Sequence, residues 1–205
     1  MTTAASPELD SAIRQALKAV NDPLTGVDWV SGRQLKSIKT RGDTVVLDFA
    51  LGYPAQSRWA DYTALVKQAL QAVPGASQVE VNWSTQVVAH AAPRGQAPLP
   101  GVKNLVAVAS GKGGVGKSTT SVNLALALSA EGARVGMLDA DIYGPSQPLL
   151  LGLSGKPDSP DGKSIEPLHN HGIQMMSIGL LIDEDAPAIW RGPMATQALD
   201  QLMRQ

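Results

Sequence analysis

The segment that most constrains the fold of this chain is residues 111–118, GKGGVGKS, which matches the pattern G-x-x-x-x-G-K-[ST] at every position. It follows a continuous apolar run at Asn104–Ala109, and it precedes an Ala/Leu-rich helical stretch at Ser118–Ala130. In such an arrangement the glycines let successive backbone N–H groups face one anion, and the helix N-terminus adds a positive potential. The pattern therefore predicts a phosphate-binding loop between a strand buried on both faces and a helix.

The remaining apolar runs of the C-terminal half predict a parallel sheet. Ala133–Leu138 follows the helix at the spacing of a strand–helix–strand unit, whose two strands are parallel. The other predicted elements are a surface excursion at residues 152–172, strands at Ile173–Ile178 and Ala188–Trp190, and a helix at Met194–Met203. We expect residues 102–205 to form the N-terminal part of an α/β domain whose parallel sheet has helices on both faces.

Two carboxylates, Asp139 and Asp141, come at the end of the second predicted strand, and Asp139 follows Lys117 by 22 residues. One alternative is that they merely end a strand and begin the turn at Tyr143-Gly144-Pro145. A dinucleotide-binding fold also places an acidic residue near this point, but its loop would match G-x-G-x-x-G. Beside a phosphate-binding loop, one carboxylate can hold a water bound to Mg²⁺ and a second can orient an attacking water. We favour this last interpretation.

The N-terminal part has a different pattern. Its predicted elements are a helix at residues 6–20 capped by Ser6, strands at Gln34–Thr40 and Thr44–Leu51, a helix at Ser57–Val73 and a strand at Gln78–Trp83. The two strands are joined at Arg41-Gly42-Asp43, a plausible hairpin turn. Residues 1–88 are therefore predicted to form a small α+β domain. Residues 89–101, rich in Pro, Ala and Gly, are predicted to be a linker.

Composition excludes several classes of protein. The net charge is −1, from 17 basic and 18 acidic residues, which gives no electrostatic footprint for binding nucleic acid. No apolar stretch is long enough to cross a membrane, and the N-terminus has acidic residues and no apolar core of a signal peptide. With no cysteine, the chain itself offers no thiolate to a metal or cluster. We expect a cytoplasmic protein without a nucleic-acid or membrane partner.

Residues 101–152 resemble the Mrp/ApbC family, ATP-binding carriers of iron–sulfur clusters in the deviant P-loop group that also holds MinD, ParA and the nitrogenase iron protein. The pair KGGVGKST and DADIYGPS carries the resemblance, and the segments DPLTG, LGYPAQS and WRGPM extend it over nearly the whole chain. The resemblance implies ATP and Mg²⁺ as cofactors and a homodimer that hydrolyses ATP. It also implies a 4Fe-4S cluster that is delivered to apoproteins, and it implies that apoproteins and cluster-assembly factors are partners of the protein.

The resemblance also implies roles for single residues. The nucleotide would be held by Gly111, Lys112, Gly113, Gly114, Val115, Gly116, Lys117, Ser118 and Thr119. Lys112 would reach across the dimer interface, Lys117 would neutralise the β- and γ-phosphates, and Ser118 would bind Mg²⁺. Asp141 would position the hydrolytic water, and Asp139 would lie near the metal.

Parts of the family pattern do not occur in these residues. A second nucleotide motif, PPGTGD after an apolar strand, and the Cys-Pro-x-Cys pair that ligates the cluster are both expected beyond Gln205. Relatives of the N-terminal domain often have a cysteine where this chain has Gly52–Gln56. We therefore expect a fragment of a longer protein that is a poor ATPase and cannot hold a bridging cluster. The alternative function is that of a MinD/ParA-like ATPase that binds a membrane or DNA.

Other candidates carry less weight. His169 and His171 form a His-x-His pair, but no carboxylate or thiol accompanies them in this surface stretch, so we expect no metal there. Arg191, in the WRGPM segment, is a candidate phosphate contact. The four tryptophans are predicted to anchor the core or an interface, and they are Trp29, Trp59, Trp83 and Trp190.

Overall fold

The fold is described from a computed structural model, which describes residues 2–91, 98–162, 164–181 and 192–204. The chain forms two compact units, Met1–Val88 and Ala89–Gln205. The predicted strand at Ala188–Trp190, together with Arg191, lies outside the described residues.

The first unit contains a four-stranded sheet with the order β1-β2-β3-β4. Its elements are β1 (Thr3–Ala4), α1 (Pro7–Leu17), β2 (Leu35–Arg41), β3 (Thr44–Leu51), a 3-10 turn at Gln56–Arg58, α2 (Trp59–Leu70) and β4 (Gln78–Thr85). Ser6 caps α1 as predicted, since its Oγ accepts a hydrogen bond from Leu9 N at 3.3 Å.

Pairing in this sheet follows from its connections. β2 and β3 are antiparallel and joined by the predicted tight turn, where Gly42 has a φ of 57°. β4 runs parallel to β3, because α2 forms the crossover between them. The helices and the sheet enclose one core. In it the rings of Trp29 and Trp83 contact each other, and each also contacts Phe49 and Tyr62, with Trp83 stacked on Phe49 at 4.5 Å. Trp29 and Trp83 thus occupy core positions, as predicted.

The second unit contains a three-stranded sheet with the order β5-β7-β6. Its elements are α3 (Lys117–Ala130), β5 (Val135–Asp139), α4 (Gln147–Leu150), β6 (Leu168–Asn170), β7 (Ile173–Ser177), a 3-10 turn at Ile178–Leu180 and α5 (Gly192–Arg204). A small cluster of buried residues from α3, the end of α4, β7 and the 3-10 turn after it forms its core: Val122, Ala125, Leu151, Ile173, Met175 and Leu180. No described helix of the chain is long and apolar enough to cross a membrane.

The predicted parallel sheet is only partly right. β5 and β7 are parallel, but β6 pairs antiparallel with β7, so the sheet is mixed. The reason is a two-residue turn at His171 and Gly172, which have φ values of 50° and 74°, the signs of a type I′ hairpin. The surface excursion predicted at residues 152–172 therefore ends in a strand and a hairpin. The cover of helices on both sheet faces stays a prediction.

The strand predicted at Asn104–Ala109 is wrong for the described structure. These residues form neither strand nor helix, and they are exposed, with Leu105 at 69% and Val106 at 67%. A strand requires a hydrogen-bonded neighbour, and no described strand pairs with this run. The predicted strand–helix–strand unit consequently lacks its first strand, although its helix and second strand are present as α3 and β5.

Candidate functional site

The predicted phosphate-binding loop is an open series of bends that leads into α3. Gly116 is the N-cap residue of the helix and has a left-handed conformation, with φ 83°, while Gly114 has φ 73°. Both conformations favour glycine, because a Cβ would strain the backbone there. No side chain caps α3 at this end. The first N–H groups of the helix are therefore available to an anion.

The space around this loop is open. A Cβ built on Gly111, Gly113, Gly114 or Gly116 would meet nothing within 4 Å. All residues from Gly111 to Gly116 are exposed, whereas Lys117 and Ser118 at the helix start are half-buried. The donor set consists of backbone N–H groups, the Lys117 ammonium and the Ser118 hydroxyl, which suits an anion with a bound divalent cation.

Three other predicted loop residues are exposed. The side chain of Lys112 is exposed. Its backbone N donates to Ser110 Oγ at 3.1 Å, which closes a local turn at the start of the loop. Val115 and Thr119 are also exposed. An exposed lysine at this point is accessible to a second molecule, as the predicted contact across a dimer requires.

Asp139 is buried, with 4% of its surface exposed, and both of its carboxylate oxygens accept hydrogen bonds. Oδ1 accepts from Asp141 N at 3.1 Å, and Oδ2 accepts from Gln147 N at 3.0 Å and from Ser177 Oγ at 3.5 Å. The carboxylate thus fixes the segment between β5 and α4. Its described contacts are all within the protein, so its predicted place near the metal stays a prediction.

A second set of contacts joins this segment to the loop. Ser146 Oγ donates to Ser118 Oγ at 3.0 Å, and Gln147 Nε2 donates to the carbonyl oxygen of Ser118 at 3.1 Å. The structure therefore brings Ser118 and Asp139 into one network, which runs through Gln147. Our sequence analysis missed Ser146 and Gln147. Their only signal was their position directly after the DADIYGP run, where Pro148 favours a helix start.

Asp141 differs from Asp139 in its surroundings. It is exposed, and its Oδ1 accepts a hydrogen bond from Gly144 N at 3.2 Å within the same turn. A carboxylate that faces solvent can exchange this turn contact for a water molecule. Its predicted role in orienting a hydrolytic water needs such access.

The two histidines are separated from this network. His169 is an exposed residue on β6, opposite Gln174, and His171 lies in the hairpin turn. Among the described residues, no three metal-ligating side chains (His, Cys, Asp or Glu) come together to form a cation site.

The first unit has a polar centre of its own, formed by two segments that carry the family resemblance. The buried carboxylate of Asp22, in DPLTG, accepts hydrogen bonds from Tyr53 OH at 2.5 Å, Leu24 N at 2.9 Å and Gln34 Nε2 at 3.4 Å. Burial raises the pKa of Asp22, but the hydrogen bonds from Tyr53, Leu24 and Thr25 outweigh it and lower the pKa overall. Burial and the hydrogen bond to Asp22 raise the pKa of Tyr53. This contact joins DPLTG to LGYPAQS.

Comparison with known proteins gives two matching family models. One, described as a NUBPL iron-transfer P-loop NTPase, matches residues 101–205 and includes the loop, Asp139, Asp141 and the network between them. The other, described as an iron-sulfur cluster assembly protein, matches residues 10–83 in the first unit.

Individual relatives agree with these models. An iron-sulfur cluster carrier protein of Haemophilus influenzae is 42% identical over 194 residues, covering 94% of this chain and 52% of that protein. Its counterpart in Escherichia coli K12 is 39% identical over 204 residues, covering 98% and 55%. The iron-sulfur cluster transfer protein NUBPL of Mus musculus is 50% identical over 123 residues, covering 59% and 38%. The chain spans about half the length of the curated relatives it matches.

Proposed function

Because the chain belongs to the NUBPL iron-transfer P-loop NTPase family, as its sequence predicted, we propose that it binds ATP with Mg²⁺ at residues 111–119 and serves in carrying iron–sulfur clusters. The observation that carries the first part is the uncapped start of α3, with Gly116 in a left-handed conformation beside an open glycine loop. The names of the relatives support the second part. They do not favour the alternative of a membrane- or DNA-binding ATPase.

In the proposed binding mode, different groups of the chain bind the phosphates, the Mg²⁺ and the attacking water. The backbone N–H groups of the loop and of the first turn of α3 hold the phosphates, and the Lys117 ammonium neutralises their charge. The Ser118 hydroxyl is the ligand for Mg²⁺, which when bound withdraws charge from the phosphate oxygens. Asp141 orients the attacking water from its exposed turn. Lys112 projects from the loop toward the nucleotide of a second copy of the chain in a homodimer.

The cluster is cargo in this proposal, and its ligands come from outside these residues. Iron–sulfur clusters are held by thiolates, and the 205 residues contain no cysteine. In this proposal these residues supply the nucleotide site, and nucleotide state governs the holding and release of a 4Fe-4S cluster elsewhere in the assembly. We place this activity in the cytoplasm, with apoproteins and cluster-assembly factors as partners.

The experiment reads the gene to its stop codon, purifies the product without oxygen, and reconstitutes it with iron and sulfide. Transfer of the cluster to an apo-acceptor is measured with ATP and Mg²⁺, with ADP and without nucleotide, for the wild type and for Lys117→Ala. The 205-residue chain is treated in parallel as a control without thiols. We expect nucleotide-dependent transfer by the wild type, transfer insensitive to nucleotide in Lys117→Ala, and no cluster on the 205-residue chain.

Two results would contradict the proposal. Transfer that is equally fast with and without ATP would separate the nucleotide site from cluster carriage. A product that binds no cluster, yet binds vesicles or DNA only with ATP, would establish the alternative function instead.

A further inference from the structure

Gln147 occupies the centre of the network between the loop and β5. It is the first residue of α4, and only 5% of its surface is exposed. Its backbone N donates to Asp139 Oδ2 at 3.0 Å, while its side-chain Nε2 donates to the carbonyl oxygen of Ser118 at 3.1 Å. One residue therefore fixes two groups of the proposed nucleotide site relative to each other.

The side-chain amide has one further property that its structural contacts do not explain. Its acceptor, Oε1, is buried and has no hydrogen-bond partner among the described residues. Buried acceptors are nearly always satisfied, and an exception points to a water, an ion or a strained functional position. Because Oε1 and Nε2 share one carbon atom, this unsatisfied acceptor lies in the neighbourhood of Ser118.

The residue type is informative as well. A hydrophobic side chain would fill a buried position at the start of α4 without leaving a polar atom unsatisfied. Glutamine supplies a donor for the Ser118 carbonyl and an acceptor that a donor on the ligand side, such as water bound to a cation, can satisfy. Ser146 adds a second link, since its hydroxyl contacts the hydroxyl of Ser118 at 3.0 Å.

We propose that Gln147 is a positioning residue for Ser118: its amide holds the Ser118 backbone so that the hydroxyl is aimed at Mg²⁺, and its backbone N–H couples that serine to Asp139. The inference rests on the proposed binding of ATP with Mg²⁺. It predicts that Gln147 acts on the contribution of the cation to nucleotide binding, and that it acts little on the binding of phosphate by the loop itself.

The test compares nucleotide affinity with and without the cation. Gln147→Met keeps the size of the side chain but removes both polar atoms, and Gln174→Met makes the same change at an exposed position of β7. Each chain is titrated calorimetrically with a non-hydrolysable ATP analogue, once with Mg²⁺ and once with EDTA. The readout is the ratio of the two dissociation constants, and a thermal melt of each chain accompanies it.

We expect the Mg²⁺ enhancement to fall by about 10-fold or more in Gln147→Met, as is typical when the support of a metal ligand is removed. The affinity in EDTA and the enhancement in Gln174→Met should stay within about twofold of the wild type. An unchanged ratio in Gln147→Met would overturn the inference, even if both affinities and the melting temperature fell together. That pattern would show a purely structural role.

Failure of the proposed function gives a different result. In that case the wild type would bind no analogue under either condition. A wild type that binds the analogue equally well with Mg²⁺ and with EDTA would leave phosphate binding by the loop intact, but it would contradict both the proposed Mg²⁺ site at Ser118 and this inference.

A measurement on the wild type covers the case in which Gln147→Met does not fold. The side-chain amide resonances of Gln147 are followed by NMR while Mg²⁺ is added to the analogue-bound chain. We expect them to shift, and we expect no shift when Mg²⁺ is added to the free chain. Resonances that stay in place in the analogue-bound chain would refute the positioning role.

Discussion

Replacing the buried carboxylate of Asp139 by an amide should loosen the segment that follows β5. Its two oxygens each accept a backbone N–H, from Asp141 at 3.1 Å and from Gln147 at 3.0 Å. In Asp139→Asn only one side-chain oxygen remains, and the amide nitrogen that replaces the other faces a donor. One of the two backbone N–H groups therefore loses its acceptor, whichever way the amide is oriented.

The magnitude follows from the number of bonds lost. A hydrogen bond to a charged group contributes about 1.5–3 kcal/mol, so Asp139→Asn should cost about that amount and Asp139→Ala about twice as much. If local opening governs hydrogen exchange, this corresponds to about 10- to 150-fold faster exchange at the amide that loses its acceptor. The third contact, from Ser177 Oγ at 3.5 Å, lies at the limit of hydrogen-bond geometry and adds little.

The assay is amide hydrogen exchange by NMR at Asp141 and Gln147 in the wild type, Asp139→Asn and Asp139→Ala. Asp158→Asn is the matched control, because it makes the same change at an exposed loop residue of the same unit. Amides that remain equally protected in Asp139→Ala would refute the reasoning. They would show that the carboxylate is not the acceptor that holds this segment.

Three further predictions concern stability. Tyr53→Phe removes a hydrogen-bond donor to the buried Asp22 carboxylate and should lower the free energy of unfolding of the first unit by about 1.5–3 kcal/mol. The measurement is a urea titration followed by tryptophan fluorescence, and an unchanged midpoint would contradict this prediction. Hydrogen bonds lower the pKa of Asp48 to about 2, and the one from Lys39 has the largest effect. The ionised Asp48 side chain therefore stabilises the fold at pH values above its unfolded pKa, and this stabilisation is lost as the pH falls through about 2. Asp48→Asn should therefore remove about 1 kcal/mol of stability at pH ~6 and almost none at pH ~1.5, and an equal loss at both would be inconsistent with this pKa. Gly116→Ala forces a Cβ into a left-handed conformation and should cost about 1–2 kcal/mol, read as a lower melting temperature of the second unit. Unchanged melting would mean that the loop adopts another conformation.

Local signals made much of the first unit predictable. Its first helix begins at a capping serine, both helices have apolar residues at helical spacing, and its central strands alternate around a glycine turn, so the predicted ends of these elements lie within three residues of the observed ones. The two-residue strand β1 was not predicted. The hairpin at His171 and Gly172 was missed, although glycine at the second turn position was a usable signal. It lay in a stretch whose Gly, Pro, Asp and Ser content suggested only a loop.

The prediction of a strand at Asn104–Ala109 was wrong because an apolar composition indicates only that a segment tends to be buried. Whether such a run becomes a strand depends on neighbours that pair with it, which periodicity does not specify. The helix that begins at Lys117 and the left-handed glycines before it agree with the spacing of the motif, which requires such backbone geometry. Phosphate binding by the loop stays a prediction. The contact between Gln147 and Ser118 could not be predicted, because it connects residues 29 positions apart and depends on how α4 packs beside α3.

The measurement that tests the account most directly is a calorimetric titration of the chain with ATP and Mg²⁺. Lys117→Ala is compared with Lys156→Ala, which removes an exposed lysine of the same unit outside the loop. We predict one nucleotide bound per chain, an affinity about 10- to 150-fold weaker in Lys117→Ala because a charge-assisted contact is lost, and unchanged affinity in Lys156→Ala. Equal affinity in the wild type and Lys117→Ala, or no binding at all, would contradict the assignment of residues 111–119 as the nucleotide site.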